Sequence, residues 1–333
     1  MQRLEELYIE ILDKCNLKCK HCSTEACQEK NTFMQIETFK RIIDECKKLG
    51  LKRVFLSGGE PLLHPELMRM LKYAKSKNTN IKVYSCGVDY LNNKFCGFEE
   101  KYFKEIKYVG VERMIFSMHG MEKEHNWITD NKNAYQCLLE TIENCKKANL
   151  EFEIHTVPMS NNYKELYKII ENAKRLGAKK VSILRLVPQG RLRENSLLLM
   201  NKKQYDEFKN IADNILDKYK DFVRIGHPFN VLLNHCKQIC NAGENKILLD
   251  VYGNCYPCES FKTILKGNTS NYFEHSIEYI WNNDIILNKL RNKNIPSKCE
   301  ICNIKEKCMG GCFGQRYLAF QDLNTHKDPI CNR

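Results

Sequence analysis

The stretch that decides the fold is LYIEILDKCNLKCKHC, residues 7–22. Its first part, 7–12, is a short apolar run of the kind that forms a buried strand. Three cysteines, Cys15, Cys19 and Cys22, follow directly after it in a CxxxCxxC pattern. Loops at the carboxyl ends of parallel strands are where α/β barrels build their active sites. Position and residue type together therefore predict a metal or cofactor site directly after the first strand.

The spacing of the three thiols indicates iron rather than zinc. A cubane [4Fe-4S] cluster normally takes four cysteinates, so a group of three leaves one iron open for chemistry. The alternative is a zinc site completed by His21. Zinc motifs favour CxxC pairs, which makes the iron–sulfur interpretation the better fit to CxxxCxxC.

Beyond this stretch, residues 7–187 alternate short apolar runs with amphipathic helical patterns, which is the βα rhythm of a parallel sheet. The predicted strands are 7–12, 53–57, 81–85, 113–118, 152–157 and 181–186. The predicted helices are 37–50, 64–77, 134–149 and 163–177, with Gly50 and Gly177 where C-caps are expected. These units predict an α/β fold, a partial (β/α)6 barrel.

The pattern changes after PQGR (188–191). A polar helix is predicted at 202–220, followed by a cysteine-rich, strand-poor segment that runs to the end of the chain. A length of 333 residues favours one large α/β domain with a smaller companion. We expect a barrel domain over 1–225 and a cysteine-rich domain over 226–333.

Composition excludes several classes of protein. With 43% hydrophobic and 28% charged residues and no long apolar run, the chain is typical of a soluble protein rather than a membrane protein. The first residues lack a signal or transit pattern, so we expect a cytoplasmic protein whose 18 cysteines bind metal rather than form disulfides. The formal charge of +12 comes from lysines spread along many helices, and without a basic stripe we expect no nucleic-acid partner.

CNLKCKHC (15–22) resembles the signature of the radical S-adenosylmethionine (SAM) superfamily. SGGEPLLHPEL (57–67), after the second strand, resembles the GGEP motif of the same family. The resemblance implies that the amino and carboxylate groups of SAM chelate the open iron. It also implies that four residues line the amino-group site: Gly58, Gly59, Glu60 and Pro61.

Later strand ends supply further expected SAM contacts. YSCG (84–87) stands where the family often has a TNG-type sequence, and SMHG (117–120) stands where SLDG is common, which implies that Ser85 and Ser117 contact SAM. Cys86 and His119 depart from these patterns. Arg185, at the end of the sixth strand, is expected to hold the SAM carboxylate, because a guanidinium can grip it through two bonds. A solvated strand end is the alternative for Arg185.

The C-terminal segment resembles the SPASM domain, which binds auxiliary [4Fe-4S] clusters, and the seven-cysteine signature begins at Cys240. The resemblance implies two auxiliary clusters, and thus three in all. The first would be held by Cys236, Cys240, Cys258 and Cys312, and the second by Cys299, Cys302, Cys308 and Cys331. Spacing alone permits many partitions, and two zinc-ribbon sites are the alternative. For Cys255 we favour packing over a surrogate ligand role.

The resemblance also implies an activity. In this family an electron enters the SAM-bound cluster, SAM is cleaved, and a 5′-deoxyadenosyl radical abstracts a hydrogen atom from substrate. Relatives with SPASM domains mostly modify peptides, so a peptide or protein substrate is the leading prediction. A small molecule in cofactor or natural-product biosynthesis is the alternative, because SMHGMEKEHNWITD (117–130) is similar to a segment of haem-biosynthesis enzymes.

Partners and a candidate base follow from the same comparison. A flavodoxin or ferredoxin-type protein is the expected electron donor. Because the cluster motif begins at residue 15, we expect no leader-recognition domain before it. A separate leader-binding protein, a leaderless recognition mode or a small-molecule substrate would each account for this. CYPCE (255–259) resembles the CYPCD-like segment of anaerobic sulfatase maturases, which makes Glu259 a candidate general base. The alternative for Glu259 is a solvated loop acid.

Overall fold

The computed structural model describes residues 2–227, 229–233, 240–265 and 267–331. Its strands are β1 Glu6–Glu10, β2 Arg53–Ser57, β3 Asn80–Ser85, β4 Asp89–Leu91, β5 Lys94–Cys96, β6 Arg113–Ser117, β7 Phe152–Thr156, β8 Val181–Ile183, β9 Val223–Ile225, β10 Lys246–Leu249 and β11 Cys255–Tyr256. Its helices are α1 Ile36–Lys48, α2 Leu67–Ser76, α3 Glu100–Val109, α4 Glu122–Thr129, α5 Ala134–Lys147, α6 Leu166–Leu176, α7 Lys202–Tyr219, α8 Phe229–Leu232, α9 Ile277–Asn283, α10 Ile285–Arg291, α11 Lys305–Cys308 and α12 Phe313–Phe320.

The main sheet has the order β11-β10-β1-β2-β3-β6-β7-β8-β9. Its neighbours pair in parallel except β10 and β11, which are antiparallel. The six strands predicted from the sequence form its centre as β1, β2, β3, β6, β7 and β8. Among the described residues its two edge strands do not pair with each other, so the sheet stays open. The prediction of an α/β fold with a partial barrel is confirmed.

The helices cover the outer face of the sheet because the strands alternate and the helices are amphipathic. Outward side chains such as Leu7, Ile9 and Val54 are fully buried, and they meet the apolar stripe of α1, including Phe39 and Ile43. Burying each large apolar side chain stabilises the fold by about 1.5–3 kcal/mol. This outer core holds the strand ends in a fixed array.

The C-terminal segment is part of the barrel sheet. β10 pairs in parallel with β1, with Glu6 opposite Lys246, although β10 lies beyond the boundary predicted near 225. Trp281 of α9 is fully buried, and its indole nitrogen donates to the carbonyl of Gln2 at 2.8 Å. The two predicted segments of the chain therefore share one sheet and one core.

The structure adds elements that the sequence patterns did not predict. The hairpin of β4 and β5, the helices α3 and α4, and the short strands β9, β10 and β11 belong to this group. In the described part of the chain, no helix has the length and apolar character needed to span a bilayer.

Candidate active site

The loop after β1 brings the three predicted cluster cysteines together. Its backbone is tied by the amide of Cys15, which donates to the carbonyl of Cys27 at 3.1 Å, and by the amide of Cys22, which donates to the carbonyl of Cys19 at 3.2 Å. Burial, and then the charges of Cys15 and Cys22, raise the pKa of Cys19 well above its usual value. A bound metal would offset this effect, because it neutralises the thiolate charge that burial opposes.

The glycines of the GGEP motif lock this loop against the end of β2. The amides of Gly59 and Glu60 donate to the carbonyls of Leu12 and Lys14, each at 2.9 Å. A Cβ on Gly58 would stand 2.3 Å from the Leu12 oxygen, and one on Gly59 would stand 1.9 Å from the Lys14 oxygen. Any side chain at either position would displace the backbone that leads into Cys15.

The carboxylate of Glu60 ties the ends of β2 and β3 together. It is fully buried and accepts hydrogen bonds from the amide of Leu62 at 3.0 Å, the hydroxyl of Ser85 at 3.0 Å and the amide of Cys86 at 2.7 Å. Burial raises its pKa even though these bonds oppose the rise. Pro61 begins a short 3-10 turn directly after it. Glu60 therefore fixes the backbone at two of the predicted SAM-contacting strand ends.

Ser117 ends β6, where it pairs in register with His155 of β7. The next strand ends carry buried imidazoles that the sequence patterns did not assign to the site. His119 packs edge-on against His21 with ring centroids 4.4 Å apart, and its amide donates to Nδ1 of His125 at 3.1 Å. Burial lowers the pKa of His125 to about 3 and that of His119 well below its usual value.

These histidines leave polar atoms available for a ligand. Among the described residues, Nδ1 of His21, Nδ1 of His119 and the hydroxyl of Thr156 are buried without a hydrogen-bond partner. Buried polar groups are normally paired, so unpaired atoms at His21, next to Cys22, and at the neighbouring His119 fit a polar ligand at this mouth of the barrel. The residues present are compatible with a polar cofactor such as SAM.

Arg185, which was predicted to contact SAM, is paired with a carboxylate of this chain and does not form a solvated strand end. Its two terminal nitrogens donate to the carboxylate of Asp328 at 2.6 and 2.8 Å, and both side chains are almost fully buried. Burial opposes the charge of Arg185, but Asp328 raises its pKa. The guanidinium fork that was expected to grip the SAM carboxylate is engaged by a residue from the C-terminal segment.

The C-terminal cysteines fall into two neighbourhoods. In the first, burial and then the charges of Cys240 and Cys312 raise the pKa of Cys258 to about 12, while Lys246 opposes the rise. The amide of Cys312 donates to Asp328 at 2.8 Å, which links this neighbourhood to Arg185. Cys236, the fourth member predicted for this set, lies outside the described residues.

The second neighbourhood contains the other four predicted auxiliary ligands. Burial, and then the charges of Cys331 and Cys299, raise the pKa of Cys308 to about 11. Cys302 belongs to the same group, because its charge raises the pKa of Cys299 and its amide donates to the Cys299 carbonyl at 3.0 Å. The structure thus groups these four thiols apart from Cys240, Cys258 and Cys312.

No set of three Cys, His, Asp or Glu side chains in the described ranges converges closely enough to hold a single metal ion. In a cubane each thiolate binds a different iron, so its ligands surround a cluster instead of meeting at one point. Three thiols in one loop, and two further groups of thiols, are compatible with such clusters.

Glu259 and Cys255, neighbours in sequence, have different surroundings. Glu259 accepts a hydrogen bond from the hydroxyl of Ser23 at 2.5 Å, directly beside Cys22, and its side chain is 42% exposed. Cys255 is buried in the main hydrophobic core, and burial, then Asp284 and Cys46, raise its pKa. Cys255 therefore packs as a small apolar residue, whereas Glu259 contacts the loop of the three cysteines.

The fold and the two cysteine systems define a class of enzyme, and the comparisons with known proteins identify it. The profile of the radical SAM superfamily matches residues 9–173, and that of the SPASM iron–sulfur cluster-binding domain matches residues 240–309. The chain therefore belongs to the radical SAM superfamily, is an enzyme, and carries a SPASM domain, as its motifs predicted.

Individual relatives are distant but span the chain. It is 25% identical to an AdoMet-dependent heme synthase of Methanosarcina barkeri, over 97% of this chain and 94% of that protein. It is 26% identical to the antilisterial bacteriocin subtilosin biosynthesis protein AlbA of Bacillus subtilis, over 97% of this chain and 69% of that protein. Its fold is similar to that of Streptococcus suis SuiB bound to the precursor peptide SuiA, with a TM-score of 0.77, 16% identity and coverage of 100% and 77%.

Proposed function

We propose that this protein is a cytoplasmic radical SAM enzyme that cleaves SAM reductively and abstracts a hydrogen atom from a peptide or protein substrate. The observation that carries the proposal is the loop of Cys15, Cys19 and Cys22, held against β2 by the backbone of Gly59 and Glu60. This loop presents three thiols and no fourth cysteine of its own motif, which is the ligand set that leaves one iron open.

The residues of the barrel mouth have separate parts in this activity. When bound, a [4Fe-4S] cluster with SAM on its open iron supplies a 5′-deoxyadenosyl radical. Cys15, Cys19 and Cys22 are the proposed ligands of that cluster. The proposed SAM contacts lie at the ends of β2, β3 and β6: Gly58, Gly59, Glu60, Pro61, Ser85 and Ser117. Glu60 joins the ends of β2 and β3 through its bonds to Ser85 and Cys86. The surrounding apolar core excludes water from the reacting atoms.

Two auxiliary [4Fe-4S] clusters complete the proposed set of three. The first takes Cys240, Cys258 and Cys312 together with Cys236, and the second takes Cys299, Cys302, Cys308 and Cys331. With four thiols each, neither has a position for a substrate thiolate, which favours a role in electron transfer. The proposed barrel domain is 1–225 and the proposed SPASM domain is 226–333, joined through β10. A flavodoxin or ferredoxin-type protein is the proposed electron donor.

A peptide substrate is supported by the relative AlbA, which is named for the biosynthesis of a bacteriocin and aligns over 97% of this chain. A separate leader-binding protein would present such a peptide. Glu259 is the candidate general base, since its half-exposed carboxylate lies beside Ser23 of the cluster loop. Similarity to a heme synthase supports a small-molecule substrate as the second candidate.

The experiment that tests this function uses protein reconstituted with iron and sulfide without oxygen. We expect about twelve irons per chain, four for each cluster, and formation of 5′-deoxyadenosine on reduction with SAM present. The control is the variant Cys15→Ala, Cys19→Ala, Cys22→Ala, which should keep about eight irons and form none of this product. SAM cleavage by that variant would contradict the proposal.

The substrate class is tested separately. Short peptides encoded beside the gene are incubated with the reduced enzyme and SAM, and mass spectrometry follows the loss of hydrogen from the peptide. Modification by the wild type and not by the triple variant supports a peptide substrate. SAM cleavage without modification of any of these peptides, together with turnover of a porphyrin precursor, would favour the small-molecule reaction.

A further inference from the structure

Arg191, which is distant in sequence, forms hydrogen bonds with the loop of the three cysteines. Nε of Arg191 donates to the carbonyl of Cys19 at 2.8 Å, and one terminal nitrogen donates to the carbonyl of Ala26 at 2.8 Å. The backbone amide of Arg191 donates to the carbonyl of Cys22 at 3.1 Å. Two of these three acceptors belong to proposed cluster ligands, so Arg191 holds the loop on both sides of His21.

The residue before Arg191 lets the two backbones touch. Gly190 has a φ of +57°, and a Cβ there would lie 2.4 Å from the carbonyl oxygen of Cys22 and 2.8 Å from that of Ser23. Only glycine accepts both this backbone conformation and this proximity. The approach of residues 190–191 to the cysteine loop is therefore built into the sequence.

The same segment is anchored on its other side to the C-terminal segment. Gln189 is fully buried, and its side-chain nitrogen donates to the carbonyl of Glu259 at 2.5 Å. Glu259 follows Cys258, a proposed auxiliary ligand. Residues 189–191 thus contact both the loop of Cys15, Cys19 and Cys22 and the segment that contains Cys258. These contacts hold the guanidinium of Arg191 in place.

The charge of Arg191 lies against the loop of the three cysteines. Its guanidinium donates to the backbone on both sides of Cys22, at the carbonyls of Cys19 and Ala26. A cation fixed this close to anionic ligands stabilises negative charge in a setting where water screens little.

We propose that Arg191 is a positioning residue for the loop of Cys15, Cys19 and Cys22, and that its charge raises the reduction potential of the cluster bound there. This rests on the proposed function only in requiring a cluster at these cysteines. Reduction adds one negative charge to the cluster, and nearby hydrogen bonds and charges set its potential. A fixed cation favours the reduced state, so loss of the cation shifts the potential to more negative values.

The test compares three variants of the full, reconstituted protein. Arg191→Gln removes both the positive charge and the guanidinium that donates to Cys19 and Ala26. Arg191→Lys keeps the positive charge but cannot form both of these hydrogen bonds. Arg193→Gln is the matched control, because Arg193 lies in the same 3-10 turn, is exposed, and would lose the same charge. An anaerobic redox titration followed by electron paramagnetic resonance reports the potential of the signal that is missing from the triple Cys→Ala variant.

We expect Arg191→Gln to shift this potential to more negative values, and Arg191→Lys to stay close to the wild type. Both should release iron from the first site to a chelator faster than the wild type, because the bonds to Cys19 and Ala26 weaken. Arg193→Gln should change neither quantity. If Arg191→Gln and Arg193→Gln had equal reduction potentials, the claim that the charge of Arg191 raises the potential would be overturned. If both Arg191 variants released iron at the wild-type rate, the claim that Arg191 positions the loop would be overturned.

The measurement needs neither SAM cleavage nor a substrate. A wild-type protein that binds its clusters but modifies no peptide would contradict the proposed substrate and leave the potentials and the iron release interpretable. Far-ultraviolet circular dichroism of each variant, and the iron retained at the auxiliary sites, separate a local effect on the loop from general unfolding.

Discussion

Arg185 and Asp328, which are far apart in sequence, form a buried bidentate ion pair between the end of the barrel sheet and the C-terminal segment. Asp328 also accepts the backbone amide of Cys312 through the oxygen that Nη1 of Arg185 binds. The pair therefore joins the geometry of a barrel strand end to that of a proposed auxiliary ligand. A guanidinium and a carboxylate with this geometry form one of the stronger charge-assisted contacts in proteins.

Removing one partner of this ion pair should lower the stability of the fold. In Asp328→Asn the guanidinium of Arg185 stays buried without a counter-charge, and we expect the free energy of unfolding to fall by about 3–5 kcal/mol. Iron bound at the first auxiliary site should fall with it, because Cys312 loses a fixed partner. Chemical denaturation and iron analysis measure both effects. Glu143→Gln, which breaks the exposed pair with Lys146, is the control and should cost no more than about 1 kcal/mol.

A methyl group at Gly59 should prevent the first cluster from binding. In Gly59→Ala the new carbon would collide with the Lys14 carbonyl, so the backbone before Cys15 must move. We expect about four irons fewer per chain, with the auxiliary clusters retained. Gly177→Ala is the control, since nothing lies within 4 Å of a Cβ there and only a φ of +91° is strained. Full iron content in Gly59→Ala would show that the loop tolerates the displacement.

Cys86 lies beside the triplet, and we expect it not to be a ligand. It lies outside the CxxxCxxC motif, at the end of β3, and its backbone amide is held there by the carboxylate of Glu60 at 2.7 Å. Cys86→Ala should therefore keep all of its iron and its SAM cleavage, whereas Cys22→Ala should lose the first cluster. If the two variants lost equal amounts of iron, Cys86 would be a fourth ligand and the open iron would not exist.

Stability should fall in mild acid because of the buried imidazoles. The folded state holds His125 with a pKa of about 3, while an unfolded histidine binds a proton near pH 6.5. The unfolded state therefore binds more protons below that pH, and this residue alone should cost about 2 kcal/mol between pH 7 and pH 5. Anaerobic urea unfolding at both pH values measures the loss. His125→Gln should reduce it by that amount, whereas a change at the exposed His275 should leave it intact.

The sequence predicted the central sheet because its strands are short apolar runs, four of which are followed by a recognisable amphipathic helix. It missed β10 and β11 because four and two residues are too few to establish a period. The join between the barrel and the C-terminal segment was therefore not visible, and the boundary near 225 fell inside a continuous sheet.

In the candidate site, too, residues within a local motif could be predicted, whereas contacts between distant segments could not. Residues within one motif, such as Cys15 or Glu60, could be recognised because the motif is local. Arg185 was assigned to SAM from its position at a strand end, whereas its ion pair with Asp328 could not be predicted, because the two residues are far apart in sequence. The contacts of Glu259 with Ser23 and of Arg191 with Cys19 likewise depend on how distant segments meet, and they could be found only in the folded structure.

The pairing of β1 with β10 has a consequence for how the protein is made. β1 contains residues 6–10, and one of its two neighbours, residues 246–249, is synthesised long after it. One side of β1 therefore keeps unpaired backbone groups until that later segment is made, and an unpaired edge of this kind invites pairing with other chains. Closure of this edge, at the strand that leads into the three cysteines, is therefore a late event in the folding of the chain.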